Sequence, residues 1–168
     1  MKPPLKWVGG KTQLLSELFN EHRLCGTYTS YHEPFVGGGS VLWSILARQS
    51  HESPDVRITD AFHASDANPA LIGLYRCLQH NVDGLLQALR PLCTTYLNAP
   101  VATKEKGGAR RSSKAVAATS LEAACEGTRE DVYYWARSEF NRHLVDDEAA
   151  AMDQPAAAAL CLFLNKTG

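Results

Sequence analysis

The sequence predicts an α/β fold. Two patterns carry this expectation: strand, glycine turn and helix follow one another over residues 1–80, and helical apolar spacing runs through most of residues 81–168. After Gly9-Gly10, the residues Leu14, Leu15, Leu18 and Phe19 form one apolar stripe, which predicts a short helix from Lys11 to His22. The β-formers of Thr29–Phe35 run into Gly37-Gly38-Gly39. Ser40 then suits the cap of a helix whose buried face is Val41, Leu42, Ile45 and Leu46. A weaker strand over Val56–Ser65 ends at Asp66-Ala67-Asn68-Pro69. There Asn68 suits a helix cap, and Pro69 suits the first helical position because its fixed φ is already helical and its missing N–H costs nothing. Leu71, Leu74, Tyr75 and Leu78 stripe that helix, and Asp83-Gly84 reads as a break before another bearing Leu85, Leu86 and Leu89.

Between Ala99 and Thr128 the composition changes, with Lys104, Lys106, Arg110, Arg111 and Lys114 set among glycine, serine and alanine. So few large apolar groups cannot offset the entropy of ordering, which predicts a disordered basic insertion. A solvated loop is the commoner meaning of such a charge run, and a nucleic-acid arm is the alternative. Helical order returns at Val132-Tyr133-Tyr134-Trp135 and reaches Leu144. After an acidic turn at Asp146, Asp147 and Glu148, a last helix begins near Pro155 and is still apolar at Leu160, Leu162, Phe163 and Leu164.

The bulk composition excludes more than it identifies. At 45% hydrophobic and 21% charged, with no apolar run near the ~18 residues of a membrane span, the chain reads as soluble and globular. The opening Met1-Lys2-Pro3-Pro4-Leu5-Lys6-Trp7 has no apolar core of a secretion signal, so an intracellular protein is expected. Cys25, Cys77, Cys93, Cys125 and Cys161 are scattered singly, and the 6 histidines are dispersed, which predicts neither disulfide framework nor metal site. With 17 basic and 18 acidic residues there is no global attraction to phosphate, so any nucleic-acid contact has to come from local geometry.

The chemistry concentrates in Glu33-Pro34-Phe35-Val36-Gly37-Gly38-Gly39-Ser40 and in Asp66, which lies 26 positions beyond Ser40. A glycine turn between strand and helix lets backbone approach a ligand, and a carboxylate ending the next strand can accept from both ribose hydroxyls. That pairing fits an adenosine. A dinucleotide fingerprint needs glycine three positions after Gly39, where Leu42 stands, so a pyrophosphate is disfavoured. A phosphate-free cofactor with a cationic sulfonium near Glu33 fits better. Gly9-Gly10-Lys11-Thr12 is not a P-loop, because Leu5 occupies the required first glycine and too little chain precedes it for a feeding strand.

Taken together, five segments resemble the Dam-like adenine-specific (N6) DNA methyltransferases, in that family's order. Leu5-Lys6-Trp7-Val8-Gly9-Gly10-Lys11 is similar to its L-K-W-x-G-G-K, Glu33–Ser40 to E-P-F-x-G-x-G-S, and Asp66-Ala67-Asn68 to D-x-N. Tyr133–Asn141 is similar to Y-Y-x-x-R-x-x-F-N, and Phe163-Leu164-Asn165-Lys166 to F-L-N-[KR]. The resemblance implies a partial Rossmann-like S-adenosylmethionine-dependent methyltransferase fold, with the C-terminal part of the sheet absent. Residues 1–80 would be the cofactor-binding core, and 81–168 the helical part of a target-recognition subdomain carrying the 99–128 insertion. It implies S-adenosyl-L-methionine as cofactor, held by Trp7, Lys11, Glu33, Pro34, Phe35, Gly37, Gly39, Ser40, Asp66 and Asn68. Double-stranded DNA would be contacted by Lys6, Arg137, Asn165 and Lys166. Read without the family, Trp7 is a packed aromatic, Arg137 an exposed helix residue and Asn141 a capping group.

One departure weighs against activity. The family's recognition hairpin and its D-P-P-Y motif, which holds the flipped adenine, are not found in these 168 residues. An exocyclic amine in a duplex cannot be reached without extruding the base into a pocket. The expectation is a truncated enzyme with no catalytic residue of its own, inactive alone, completed by a second chain or left as a non-catalytic binding fragment. An incomplete sheet would also leave an open edge and a marginally stable protein.

Overall fold

A computed structural model describes residues 3–20, 24–52, 54–101, 118, 120–145 and 154–168. It divides into two compact units, Met1–Asn68 and Pro69–Gly168.

The first unit is built on two parallel strands, β1 (Gly26–Glu33) and β2 (Val56–Ala64), joined through helix α2 (Ser40–Gln49). Pairing runs from Gly26 opposite Val56 to Glu33 opposite Ala64, with an irregularity between Tyr28 and Ser30. It continues past the strands, because Ser65 N–H donates to Glu33 O and Val36 N–H to Ser65 O, both at 2.9 Å. The α/β expectation thus holds in the form of a small two-stranded parallel sheet with helices. Phe19, Val41, Ile45, Val56 and Ile58 form the core against which Leu15, Leu18, Tyr31 and Phe62 pack. Burying such side chains is the main favourable term in forming the unit.

Several local expectations need correction. The helix foreseen from Lys11 to His22 is a 3-10 turn, Lys11–Leu14, followed by a single α-turn, α1 (Leu15–Leu18). Phe19 leaves helical geometry at φ −103°, ψ 40° and enters the core, while residues 21–23 lie outside the described set. Ser40 is not the cap of α2. Gly39 takes that place, and α2 buries Val41, Ser44 and Ile45 while Leu46 stays exposed. The foreseen open edge is partly closed at β2. Gln49 donates from Nε2 to Ile58 O at 3.0 Å and accepts from Ile58 N–H at 2.9 Å, so one side-chain amide replaces a neighbouring strand at that residue. Arg48 pairs with Asp55 and stacks 4.4 Å from the Phe19 ring centroid, tying the end of α2 to the start of β2.

The second unit is helical. Helix α3 (Pro69–His80) begins at the proline, as its sequence suggests. Asp83-Gly84 does not break the chain. Asn81 caps α4 (Val82–Asn98) by accepting from Gly84 N–H at 3.1 Å, so this dipeptide forms the first turn of one continuous helix. Within the region read as an insertion, residues 102–117 and 119 lie outside the described set, but Ser120 caps a further helix, α5 (Leu121–Cys125). The ends of this excursion meet. Arg129 N–H donates to Pro100 O at 3.0 Å, and its guanidinium reaches Leu97 O and Ala99 O, opposing the negative end of α4.

Helix α6 (Arg129–Val145) starts where the Asp131 carboxylate accepts from the backbone N–H and the hydroxyl of Thr128, at 2.7 and 2.8 Å. This is one half of a capping box. Asp131→Ala is expected to cost about 1 to 2 kcal/mol, read as a lower urea midpoint of unfolding. The acidic turn at 146–148 lies outside the described residues. The last helix, α7 (Pro155–Thr167), packs on α3, α4 and α6 and buries Ala157, Ala158, Ala159, Leu160 and Phe163. Its all-round apolar character is that of a central helix, and the alanines let neighbouring helices approach. Among the described residues no helix is long and apolar enough to cross a membrane.

Candidate functional site

The site is assembled within the first unit from three stretches of chain: residues 5–12, 31–40 and 65–68. Leu5 is buried and anchors the first of them. Gly10 N–H donates to Trp7 O at 3.1 Å, closing a tight turn that returns the chain over the glycine loop. Thr12 and Ser40 share a hydroxyl hydrogen bond at 3.1 Å, which pins this segment to the start of α2.

The loop itself needs glycine for two reasons. Gly37 and Gly39 have φ of +50° and +71°, the left-handed region that L side chains rarely adopt. In addition, a Cβ on Gly38 would stand 2.8 Å from Trp7 Cβ, and one on Gly37 would stand 3.0 Å from Trp7 Cδ1. The indole therefore lies directly on the glycine backbone while remaining 39% exposed. That is not the surrounding of a plain core tryptophan.

Two carboxylates flank this loop. Asp66 accepts from Gly37 N–H through Oδ2 and from Asn68 N–H through Oδ1, each at 3.0 Å. It holds the turn in shape, and both oxygens keep lone-pair capacity for further donors. Glu33 is only 7% exposed. Its Oε2 accepts from Tyr31 Oη at 2.7 Å, and Lys11 Nζ stands 3.8 Å from Oε1. Lys11 Nζ also donates to Phe35 O at 3.5 Å. Burial, then the hydrogen bond to Glu33 and the charge of Glu33, push the Tyr31 phenol far above the usual tyrosine range, so it remains a proton donor.

The structure thus brings together Trp7, Lys11, Glu33, Phe35, Gly37, Gly39, Ser40, Asp66 and Asn68. Pro34 and Phe35 are exposed at the rim, and Asn68 takes part through its backbone N–H. Lys6 is exposed beside Trp7 in the same unit. Arg137 belongs to the second unit, exposed on α6, as do Asn165, half-buried on α7, and Lys166, exposed in its last turn. Asn141 lies inside α6 and does not cap it. Tyr31 and Thr12 were not singled out from the sequence. The period-two alternation of a strand, which sets Tyr31 and Glu33 on one side of β1, was the available signal for Tyr31. Among the described residues no group of three or more His, Cys, Asp or Glu side chains is arranged to hold a metal.

A strand, a left-handed glycine turn, a helix and a second parallel strand with a carboxylate just beyond it define a βαβ unit of the α/β class. The sequence model of the D12 class N6 adenine-specific DNA methyltransferases matches residues 7–168, and the chain belongs to that family of enzymes. It is similar to the type II methyltransferase M.MjaIII of Methanocaldococcus jannaschii, 34% identical over 172 aligned residues, which cover 99% of this chain and 46% of that protein. The DNA adenine methylase of Haemophilus influenzae is 31% identical over 94 residues, 54% of this chain and 27% of that protein. The type II methyltransferase M1.LlaDCHI of Lactococcus lactis subsp. cremoris is 28% identical over 89 residues, 53% of this chain and 26% of that protein. The chain spans less than half the length of each of these relatives. No solved structure matches it.

Proposed function

We propose that this chain binds S-adenosylmethionine over the Val36–Gly39 turn and supplies that cofactor face for methylation of adenine N6 in double-stranded DNA. The observation that carries the reading is the convergence of Trp7, Lys11, Glu33 and Asp66 on one glycine turn, within hydrogen-bonding or van der Waals reach of its backbone or of one another. In this reading Asp66 takes the ribose through its remaining lone pairs. Trp7, Lys11 and Glu33 take the methionine part, and Phe35, Gly37 and Gly39 line the cofactor. Lys6, Arg137, Asn165 and Lys166 contact DNA.

In this reading residues 1–80 supply the cofactor-binding core, although α3 packs within the helical second unit, and 81–168 supply the helical part of target recognition. Turnover needs, in addition, a pocket for the extruded adenine. The resemblance assigns that pocket to a D-P-P-Y segment, which does not occur among these 168 residues.

Calorimetric titration with S-adenosylmethionine tests the reading, with circular dichroism on the same sample to establish that the protein is folded. Saturable one-site binding in the micromolar range is expected. A folded protein that gives no binding at millimolar ligand overturns it.

A further inference from the structure

We infer that Tyr31 is a positioning residue that aims the Glu33 carboxylate at the cationic methionine end of the cofactor; this rests on the cofactor reading proposed above. Tyr31 and Glu33 are two residues apart on β1, so strand alternation sets both side chains on the same side of the sheet. The two side chains then part company in environment. The Tyr31 ring packs against the core of α2 and β2 and lies 5.9 Å, centroid to centroid, from Phe62. Its hydroxyl reaches out of that core to Glu33 Oε2 at 2.7 Å, a short hydrogen bond of the charge-assisted kind.

Glu33 needs such a partner. At 7% exposure its carboxylate cannot rely on bulk water for solvation or orientation. Lys11 is the other charged neighbour, but it stands 3.8 Å from Oε1 on a long side chain that is 45% exposed. A half-exposed lysine holds geometry poorly, because it spends side-chain entropy to stay in one place. Tyr31 is fixed by packing, so it sets the Glu33 rotamer. With Oε2 committed to Tyr31, Oε1 is left facing Lys11 Nζ at 3.8 Å, a side on which an ammonium or sulfonium can be met. Such preorganisation raises affinity by removing an ordering cost from binding.

The test compares the wild type with Tyr31→Phe, which keeps the ring and removes only the hydroxyl. Each is titrated with S-adenosylmethionine and with 5′-methylthioadenosine, a neutral thioether that carries the adenosine but lacks the methionine end. Tyr31→Phe is expected to weaken S-adenosylmethionine about tenfold, the scale of a hydrogen bond to a charged group, and to leave 5′-methylthioadenosine within about twofold. The unfolding midpoints of the two proteins should stay close.

An equal loss for both ligands would make Tyr31 a merely structural residue, and no loss for either would leave Glu33 positioned without it; each overturns the inference while the cofactor reading stands. If the folded wild type binds neither ligand, the cofactor reading fails and the inference goes with it.

Discussion

Replacing Gly38 with alanine is expected to destabilise the first unit by about 2 to 3 kcal/mol and to weaken S-adenosylmethionine binding by at least thirtyfold. The new Cβ would stand 2.8 Å from Trp7 Cβ and 3.5 Å from Leu5 O. Neither neighbour is the loose end of a side chain. Trp7 Cβ is bonded to its own backbone, and that backbone is held by the buried Leu5 and by the turn closed at Gly10. The whole 5–12 segment therefore has to lift off the loop, taking Trp7 and Lys11 with it. Gly9→Ala is the control. Gly9 also has a left-handed φ of +74°, but a Cβ there meets nothing within 4 Å. Only backbone strain, on the order of 1 kcal/mol, is expected, and little change in affinity. Urea unfolding and calorimetric titration read both quantities, and equal behaviour of the two variants would remove the Trp7 contact from the account.

Asp66→Ala is expected to weaken S-adenosylmethionine about a hundredfold and to lower stability by about 1 to 3 kcal/mol. Two losses combine in this change. The carboxylate no longer accepts from Gly37 N–H, so the turn loses the side chain that shapes it. Any ribose hydroxyl placed there also loses an ionised acceptor, and hydrogen bonds to charged groups are worth roughly twice those to neutral ones. Asp66→Asn weakens both without abolishing either. The amide keeps one acceptor oxygen, enough for either Gly37 N–H or Asn68 N–H but not for both, so about a tenfold loss is expected. Should Asp66→Ala bind as tightly as the wild type, the ribose assignment to this carboxylate fails.

Much of the first unit was legible in the order of its residues. The β-formers expected over Thr29–Phe35 became the second half of β1, which starts earlier at Gly26 and stops at Glu33, the weaker run at Val56 became β2, and Asp66 lies just beyond it. Pro69 opened a helix because its ring already holds helical φ. Elsewhere local rules misled. Asp83-Gly84 looked like a break, yet a helix N-terminus has unpaired N–H groups, and Asn81 captured that of Gly84. Leu46 has the spacing of a buried position, yet it is exposed while Val41 and Ile45 of the same helix enter the core.

By itself, the sequence determined the order of strand, glycine turn, helix and second strand in the first unit, and the family, because propensity, punctuation and motif spacing act over a few residues or are written directly in the chain. Only the tertiary structure decided how the site is held. Trp7 over Gly37 and Gly38, Lys11 at Glu33, Thr12 with Ser40 and Asp66 on Gly37 all join residues more than twenty positions apart. No periodicity encodes such pairs. They form because packing and the need to satisfy buried polar groups choose among many locally acceptable arrangements. Asp66 shows the difference most clearly: its position announced a ligand acceptor, and its two backbone hydrogen bonds gave it the further task of holding the turn that the ligand would meet.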